Sequence, residues 1–271
     1  MRGIRLMMIL VVAAAGSVGA GDATAPGEAV LDSSSLWRYF AVSGYSRVRK
    51  ADGQLEPRSI NWYWGGISSA PVATNTVSPL PPAGWADPAF NDALWPRVRL
   101  PQPLLTISGA NPRPFYLPYN SAGLVVRGKF DVADPAQVQS SAISLCYWGG
   151  AVVYVNGKEV ARGQLPVEAK SLADVCEDYP AEAFTTPEGK PLRLGDAKNK
   201  DRLALRERKL ENVAIPAGLL RKGANVLAIE IHSAAVPELI SKGVGQEASG
   251  AGWPPIGLLE ARLTLTTAAG S

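Results

Sequence analysis

The sequence has few side chains suited to metal binding or nucleophilic catalysis. It contains one histidine, His232, and two cysteines, Cys146 and Cys176, among 271 residues. This is too few for a zinc cage, and we find no nucleophile elbow, phosphate-binding loop or compact acidic calcium loop. His232 ends an apolar run, which predicts a strand residue with a hydrogen-bonded ring rather than a catalytic base. We therefore expect no metal ion and no cofactor.

An excess of charge of one sign is also absent. The formal net charge is +3, and it falls to +1 without Arg2 and Arg5. Proteins that bind nucleic acid carry clustered lysine and arginine to neutralise phosphates, and this sequence has no such stripe. Nucleic acid is therefore not an expected partner.

Long apolar runs are missing except at the N-terminus. Two arginines there precede the apolar run Leu6–Ala15, and small residues follow at positions 16–20. This order is typical of a secretory signal peptide, and the run is short for a membrane span. We expect residues 1–20 to be removed, leaving a secreted or periplasmic chain without a membrane span; an uncleaved N-terminal anchor is the alternative.

No long amphipathic helix is evident, whereas strand patterns recur between turn residues. Apolar and aromatic runs predict strands at 36–42, 60–64, 124–130, 142–148, 151–155, 224–232 and 257–266. Asn156-Gly157 is a strong signal for a tight hairpin turn. We predict a flexible lead-in at residues 21–34 and then one antiparallel β-sandwich over residues 35–268, with a long strand-poor insertion around 166–200.

Four segments in order carry a resemblance to a known family. They are a tryptophan- and acid-containing segment, a basic strand, the Asn-Gly hairpin and a late strand, at residues 84–95, 126–132, 153–161 and 220–232. Together they resemble the sugar-binding, galactose-binding-like jelly-roll domain of glycoside hydrolase family 2. The resemblance implies a jelly-roll sandwich, in which we expect Trp85, Phe90 and Trp95 to plug one end.

The resemblance leaves three functional hypotheses open. Family 2 enzymes continue into a barrel with the catalytic carboxylates, whereas the matching segments all lie in the sandwich. The first hypothesis is therefore a non-catalytic carbohydrate-binding or accessory module that binds a glycan or assists a glycan-processing protein. The others are a protein-interaction sandwich without a sugar site, and the truncated N-terminal part of a glycoside hydrolase, which needs two opposed carboxylates.

Aromatic residues beside glycine pairs are the candidate sugar contacts. In an extended segment, Trp62 and Trp64 share one face, and Asn61 offers an amide for sugar hydroxyls. Trp148, just before Gly149-Gly150, is a second candidate platform. We expect the glycines to leave these rings uncovered; the alternative is that the tryptophans fill the core.

The two cysteines allow two interpretations. In an oxidising compartment Cys146 and Cys176 can form a disulfide, if their Cα atoms lie within about 7 Å. Alternatively, Cys146 is a buried strand thiol and Cys176 is a separate loop thiol. Spacing in sequence does not decide between them.

Removal of residues 1–20 during export can be tested directly. We expect N-terminal sequencing of the protein from its native cell to begin at Gly21, because the small residues before it suit a signal peptidase. An N-terminus at Met1 in a cytoplasmic fraction contradicts the prediction.

Overall fold

A computed structural model describes residues 27–58, 61–63, 66–68, 77–100, 121–192, 197–239 and 256–268. In these ranges the regular structure is mainly β, with fifteen strands, four short 3₁₀ turns and one short α-helix, α1 (Lys200–Ala204). Two large sheets face each other and two small sheets lie beside them. The predicted all-β, antiparallel sandwich is therefore confirmed.

The large sheets have four and six strands. In spatial order, the four-stranded sheet contains β1 (Glu28–Leu31), β15 (Gly257–Thr267), β9 (Val138–Trp148) and β12 (Arg208–Ala214). The six-stranded sheet contains β11 (Lys158–Gly163), β10 (Gly150–Val155), β13 (Gly223–His232), β8 (Ser121–Val132), β2 (Trp37–Ser43) and β7 (Arg97–Val98). All pairings within both sheets are antiparallel.

The small sheets contain the remaining strands. One consists of β14 (Val236–Pro237), β3 (Ser46–Arg49) and β4 (Leu55–Arg58), and its β14–β3 pair is parallel. The other is a hairpin of β5 (Asn61–Tyr63) and β6 (Gly66–Ser68).

The core lies between the large sheets because their strands alternate apolar residues inward. On β8, Leu124 and Val126 belong to this core, as do Ile143 and Leu145 on β9. The hairpin prediction is also confirmed, since Asn156-Gly157 connects β10 and β11 with φ angles of 52° and 80°. Positive φ at both positions is what a type I′ turn requires.

The lead-in prediction is wrong for residues 28–31, which form β1 at the edge of the four-stranded sheet. The backbone of this segment pairs with β15, and the Leu31 side chain is buried in the core. The described residues of 166–200, the predicted insertion, contain 3₁₀ turns such as Ala181–Ala183 and an isolated bridge between Thr185 and Pro191.

A first cover lies on the outer face of the six-stranded sheet. Residues 77–96, which we call the cap, place Trp85, Phe90 and Trp95 in one cluster with Phe40 of β2. The expected end plug is therefore wrong, because the outward side chains of β2 and β8 are apolar and attract these rings.

A buried ion pair fastens the cap to β8. Arg127 Nε lies 2.9 Å from Asp92 Oδ2, with the two residues 1% and 5% exposed. Arg127 also donates to the cap carbonyls of Trp85 and Asp87. Burial raises the pKa of Asp92, but hydrogen bonds from Arg127 and Lys129 outweigh it and leave the pKa below its ordinary value.

A second cover is the strand-poor insertion, which crosses β8, β13 and β10 at a row of three paired residues. This row is Gly123, His232 and Gly150, with His232 opposite a glycine on each side. We call residues 172–176 of the insertion the crossing segment. Leu172 fills the position of a side chain at Gly123, Cys176 fills that at Gly150, and the Asp174 carbonyl lies 3.0 Å from His232 Nδ1.

The two cysteines are separate thiols, so the disulfide is not formed in this structure. Cys146 is buried on the outer side of β9 beside Lys209 and Glu260, whereas Cys176 packs in the cluster beneath the insertion. Burial raises the pKa of both thiols to about 11, which makes thiolate formation unfavourable near neutral pH.

Substitution at Gly150 tests how the insertion docks. In Gly150→Ala, the new methyl group meets Cys176 Cβ at 2.7 Å and the Gln164 carbonyl oxygen at 2.9 Å. We expect a loss of about 1–3 kcal/mol in the free energy of unfolding, measured by urea denaturation. Gly218→Ala is the control, because nothing lies within 4 Å of its added methyl group. Equal stability of the two variants contradicts the packing.

Candidate functional site

A cleft opens where the insertion meets the small β14–β3–β4 sheet. Its volume is about 300 Å³, which is at the lower end of the range of about 300–1,000 Å³ typical of small-molecule sites. The lining combines aromatic, aliphatic and charged side chains, including Arg49, Asp178, Tyr179, Phe184, Pro237 and Glu238.

Tyr179 forms a fixed part of the cleft wall. Its hydroxyl accepts a hydrogen bond from the Gly149 amide at 2.8 Å and donates to the Arg206 carbonyl at 3.0 Å. The Arg208 guanidinium lies 3.7 Å from the centre of the ring, a favourable cation–π contact. Burial raises the pKa of Tyr179 to about 12, so the hydroxyl keeps the proton that it donates.

Phe184 supplies a more accessible ring. It directly follows the 3₁₀ turn Ala181–Ala183, and its carbonyl accepts the Leu192 amide at 2.9 Å. The side chain is half-buried and lies in the cleft lining with Pro237. These contacts hold the backbone of Phe184, and its half-buried side chain packs against the buried cluster that contains Tyr179 and Ala183.

Charged groups form the rim. Arg49 binds Asp178 through two contacts, Nε–Oδ2 at 2.8 Å and Nη2–Oδ1 at 3.1 Å, and also donates to the Gly53 carbonyl. The two side chains are 32% and 48% exposed, so both still reach solvent. Glu238 accepts the Ala51 amide at 3.3 Å on the same rim.

This combination suits a ligand with one apolar face and several hydroxyl groups. An aromatic ring packs against the C–H face of a sugar, and nearby carboxylate and guanidinium groups pair with hydroxyls. The lining therefore contains the kinds of side chain that carbohydrate rings contact.

The predicted aromatic platform is only partly within the described residues. Asn61 and Trp62 lie in β5, where Trp62 pairs with Ile67 of β6. Strand β5 ends at Tyr63, and Trp64 lies outside the described residues. Their role in sugar binding stays a prediction.

The expectation that the neighbouring glycines leave the Trp148 ring uncovered needs correction. Its ring is half-buried and lies against Gly257 on β15, 2.8 Å from the position of a side chain there. Gly150 is covered by Cys176. The glycines near Trp148 thus allow close packing of protein rather than exposing a ring, and its sugar contact also stays a prediction.

Sequence reasoning missed Tyr179 and Phe184 because neither lies in a periodic segment. The one available signal was the length of the insertion, since long loops in compact domains often carry function. Arg49, which lines the same cleft, is about 130 positions earlier in the sequence than its partner Asp178, and only the folded chain brings the two together.

Outside this cleft, a groove of about 510 Å³ crosses the outer face of the four-stranded sheet. None of the described residues that line this groove is aromatic. Across those same ranges, no group of three or more metal-ligating side chains converges. No helix in the described chain is long and apolar enough to span a bilayer.

No family model and no curated protein matches the chain. Solved structures similar to it include a glycosyl hydrolase family 2 member from Bacteroides cellulosilyticus DSM 14838, with 13% identity over 88% of this chain and 20% of that chain, at a TM-score of 0.37. A β-glycosidase from Bacteroides vulgatus has 10% identity over 89% of this chain and 20% of that chain, at 0.36. A β-glucuronidase from Bacteroides uniformis has 13% identity over 85% and 18%, at 0.36. The chain spans about a fifth of their lengths, and their activities are those of the larger proteins.

Proposed function

We propose that this chain is an extracytoplasmic, non-catalytic carbohydrate-binding module, with its sugar site in the cleft beneath the insertion. The observation that supports this most strongly is that the half-buried Phe184 and the partly exposed Arg49–Asp178 pair line one cleft. An aromatic contact and additional hydrogen bonds from the exposed parts of this pair are thereby offered to the same ligand ring. The module acts alone or as an accessory to a glycan-processing protein.

The carboxylates of the cleft favour binding over hydrolysis. A glycosidase needs two carboxyl groups that face each other across the glycosidic bond. Here Asp178 is held by Arg49, and Glu238 accepts a backbone amide. Both acids therefore have structural partners, which suits a binding site better than a catalytic pair.

The platform predicted from sequence is proposed as a second contact surface. Asn61, Trp62 and Trp64, with Trp148, extend binding beyond one sugar ring if a longer glycan is the ligand. Secretion or periplasmic export after removal of residues 1–20 is part of the same proposal, since extracellular glycans are met there.

A glycan array followed by affinity measurements tests the cleft. We expect Phe184→Ala to weaken binding of the selected glycan about tenfold or more, as for an aromatic contact in an interface centre. The thermal midpoint should fall modestly, because the half-buried ring packs against the buried cluster on one side, and affinity is therefore compared well below that midpoint. Leu94→Ala is the control: Leu94 is 97% exposed, lies in the cap away from the cleft lining, and should leave affinity unchanged.

Two outcomes contradict the proposal in different ways. Full affinity in Phe184→Ala together with loss in Trp62→Ala or Trp148→Ala moves the site to the sequence-predicted platform. Absence of any bound glycan on the array, with a folded protein, rejects carbohydrate binding and favours a protein-interaction role.

A further inference from the structure

The groove on the outer face of the four-stranded sheet is larger than the cleft. Its volume of about 510 Å³ lies well within the range of about 300–1,000 Å³ that is typical of small-molecule sites. The lining extends from residues 32–34, which follow β1, across β15 and β9 to β12. Neighbouring strands lie about 4.8 Å apart, so four strand positions span about 14 Å. The groove is therefore longer than a single sugar ring.

Small side chains on the central strand form the floor of the groove. Leu145 of β9 faces the core, so Ser144 and Cys146 on either side of it face outward. The strand register places Cys146 between Glu260 of β15 and Lys209 of β12. Both of these neighbours are long and exposed. They form walls on the two sides of the small residue.

A second row repeats this arrangement with the charges exchanged. Ser144 lies opposite Arg262 of β15, and on its other side the Asn212 amide of β12 donates to the Ser144 hydroxyl at 2.9 Å. The register of β12 shifts across Glu211 and Asn212, where Asn212 has a φ angle of 50°. Such a bulge redirects side chains. Glu211 and Asn212 are consequently both exposed along the groove.

The charged walls are available to a ligand. Among the described residues, no salt bridge involves Lys209, Glu211, Glu260 or Arg262. The positions on β15 and β12 are two strand spacings apart, about 9.6 Å, and the floor between them carries no charge. Each wall therefore presents one cation and one anion to the space above the floor.

These groups suit a neutral ligand that is rich in hydroxyls. A hydroxyl donates to a carboxylate and accepts from lysine or arginine, so it pairs with groups of either charge. Phosphates fit poorly, because the lining acids Asp32, Glu211 and Glu260 outnumber the bases Lys209 and Arg262. The charge balance thus favours a sugar chain over a nucleic acid.

A peptide fits the groove less well than a sugar chain. Strand addition needs a free sheet edge, and docking of a helix needs an apolar groove. The apolar lining residues Leu145, Leu210 and Ala261 pack against the core instead. The side chains that remain for a ligand are therefore charged or polar.

We propose that this groove is a second carbohydrate site, which binds a neutral, extended oligosaccharide across β15, β9 and β12. Ser144 and Cys146 let the chain lie close to the sheet, and the two walls hydrogen-bond the hydroxyls of successive rings. The ligand class is that of the proposed function, on which this part rests. The site itself is separate, because the groove and the cleft share no lining residue.

Chain length provides the first test. Cellohexaose, xylohexaose and mannohexaose are titrated into the isotope-labelled full chain, with glucose, xylose and mannose as single-ring comparisons. We expect at least one hexasaccharide to give saturable amide shifts at Ser144, Cys146 and Lys209. It should bind about tenfold or more tightly than its monosaccharide, because one ring makes only part of the contacts. Absence of groove shifts with all three hexasaccharides, or equal affinity for the two lengths, overturns the proposal.

Wall variants assign the contacts to individual side chains. Arg262→Ala and Glu260→Ala each remove an exposed charged group, and each should weaken hexasaccharide binding about tenfold without lowering the thermal midpoint. Arg97→Ala is the matched control, because Arg97 is an exposed arginine on β7 of the other large sheet. Wild-type affinity in both wall variants contradicts the proposal.

The groove and the cleft are distinguished in the same titrations. Phe184→Ala, which weakens binding in the cleft, should leave the hexasaccharide-induced shifts at Ser144 and Cys146 unchanged. Groove shifts without cleft shifts reject the sugar site in the cleft and support the groove. Cleft shifts alone reject the groove and leave the proposed function in place.

Discussion

The insertion can lie close to the six-stranded sheet because two of the three paired residues in one row across β8, β13 and β10 are glycines. The third residue of this row is His232. Gly123 and Gly150 receive Leu172 and Cys176, and His232 between them meets a backbone carbonyl. A side chain at either glycine clashes with Leu172 or Cys176, so that the insertion has to move away from the sheet. The cleft depends on this contact, since its wall is the next part of the same loop.

The cap also covers the outer face of the six-stranded sheet, but a different interaction holds it there. Its aromatic rings bury the apolar outer side of β2 and β8, and the Asp92–Arg127 pair crosses that layer. Breaking one partner of a buried pair leaves an unpaired charge, so such pairs specify one arrangement even where they add little net stability. The outer face of the six-stranded sheet, which faces solvent in many sandwiches, is therefore buried where the cap covers it.

Local signals in the sequence predict what is local in the structure. Asn156-Gly157 predicts its turn because positive φ at both residues is a property of the dipeptide. The bonded, buried strand position of His232 also follows from its apolar run. Cross-strand and loop contacts do not: Gly150 resembles a ligand-side glycine in sequence, and only the packing of Cys176 shows its purpose.

The same distinction explains the candidate site. Tryptophans next to glycines stand out in a sequence, whereas Tyr179 and Phe184 sit in a loop without periodicity. Arg208 of β12 stacks on the Tyr179 ring, and Arg49 of the small sheet binds the neighbouring Asp178. A site built between a loop and distant strands is a tertiary property, and its residues carry no shared local pattern.

The central claim is that a sugar occupies the cleft between insertion and small sheet. Backbone amide shifts recorded while the array-selected glycan is titrated into labelled protein locate the ligand directly. The account predicts saturable shifts at Asp178, Tyr179 and Phe184 and at Lys50 across the cleft. Shifts confined to the β5–β6 hairpin or to the outer face of the four-stranded sheet, with none in the cleft, contradict it.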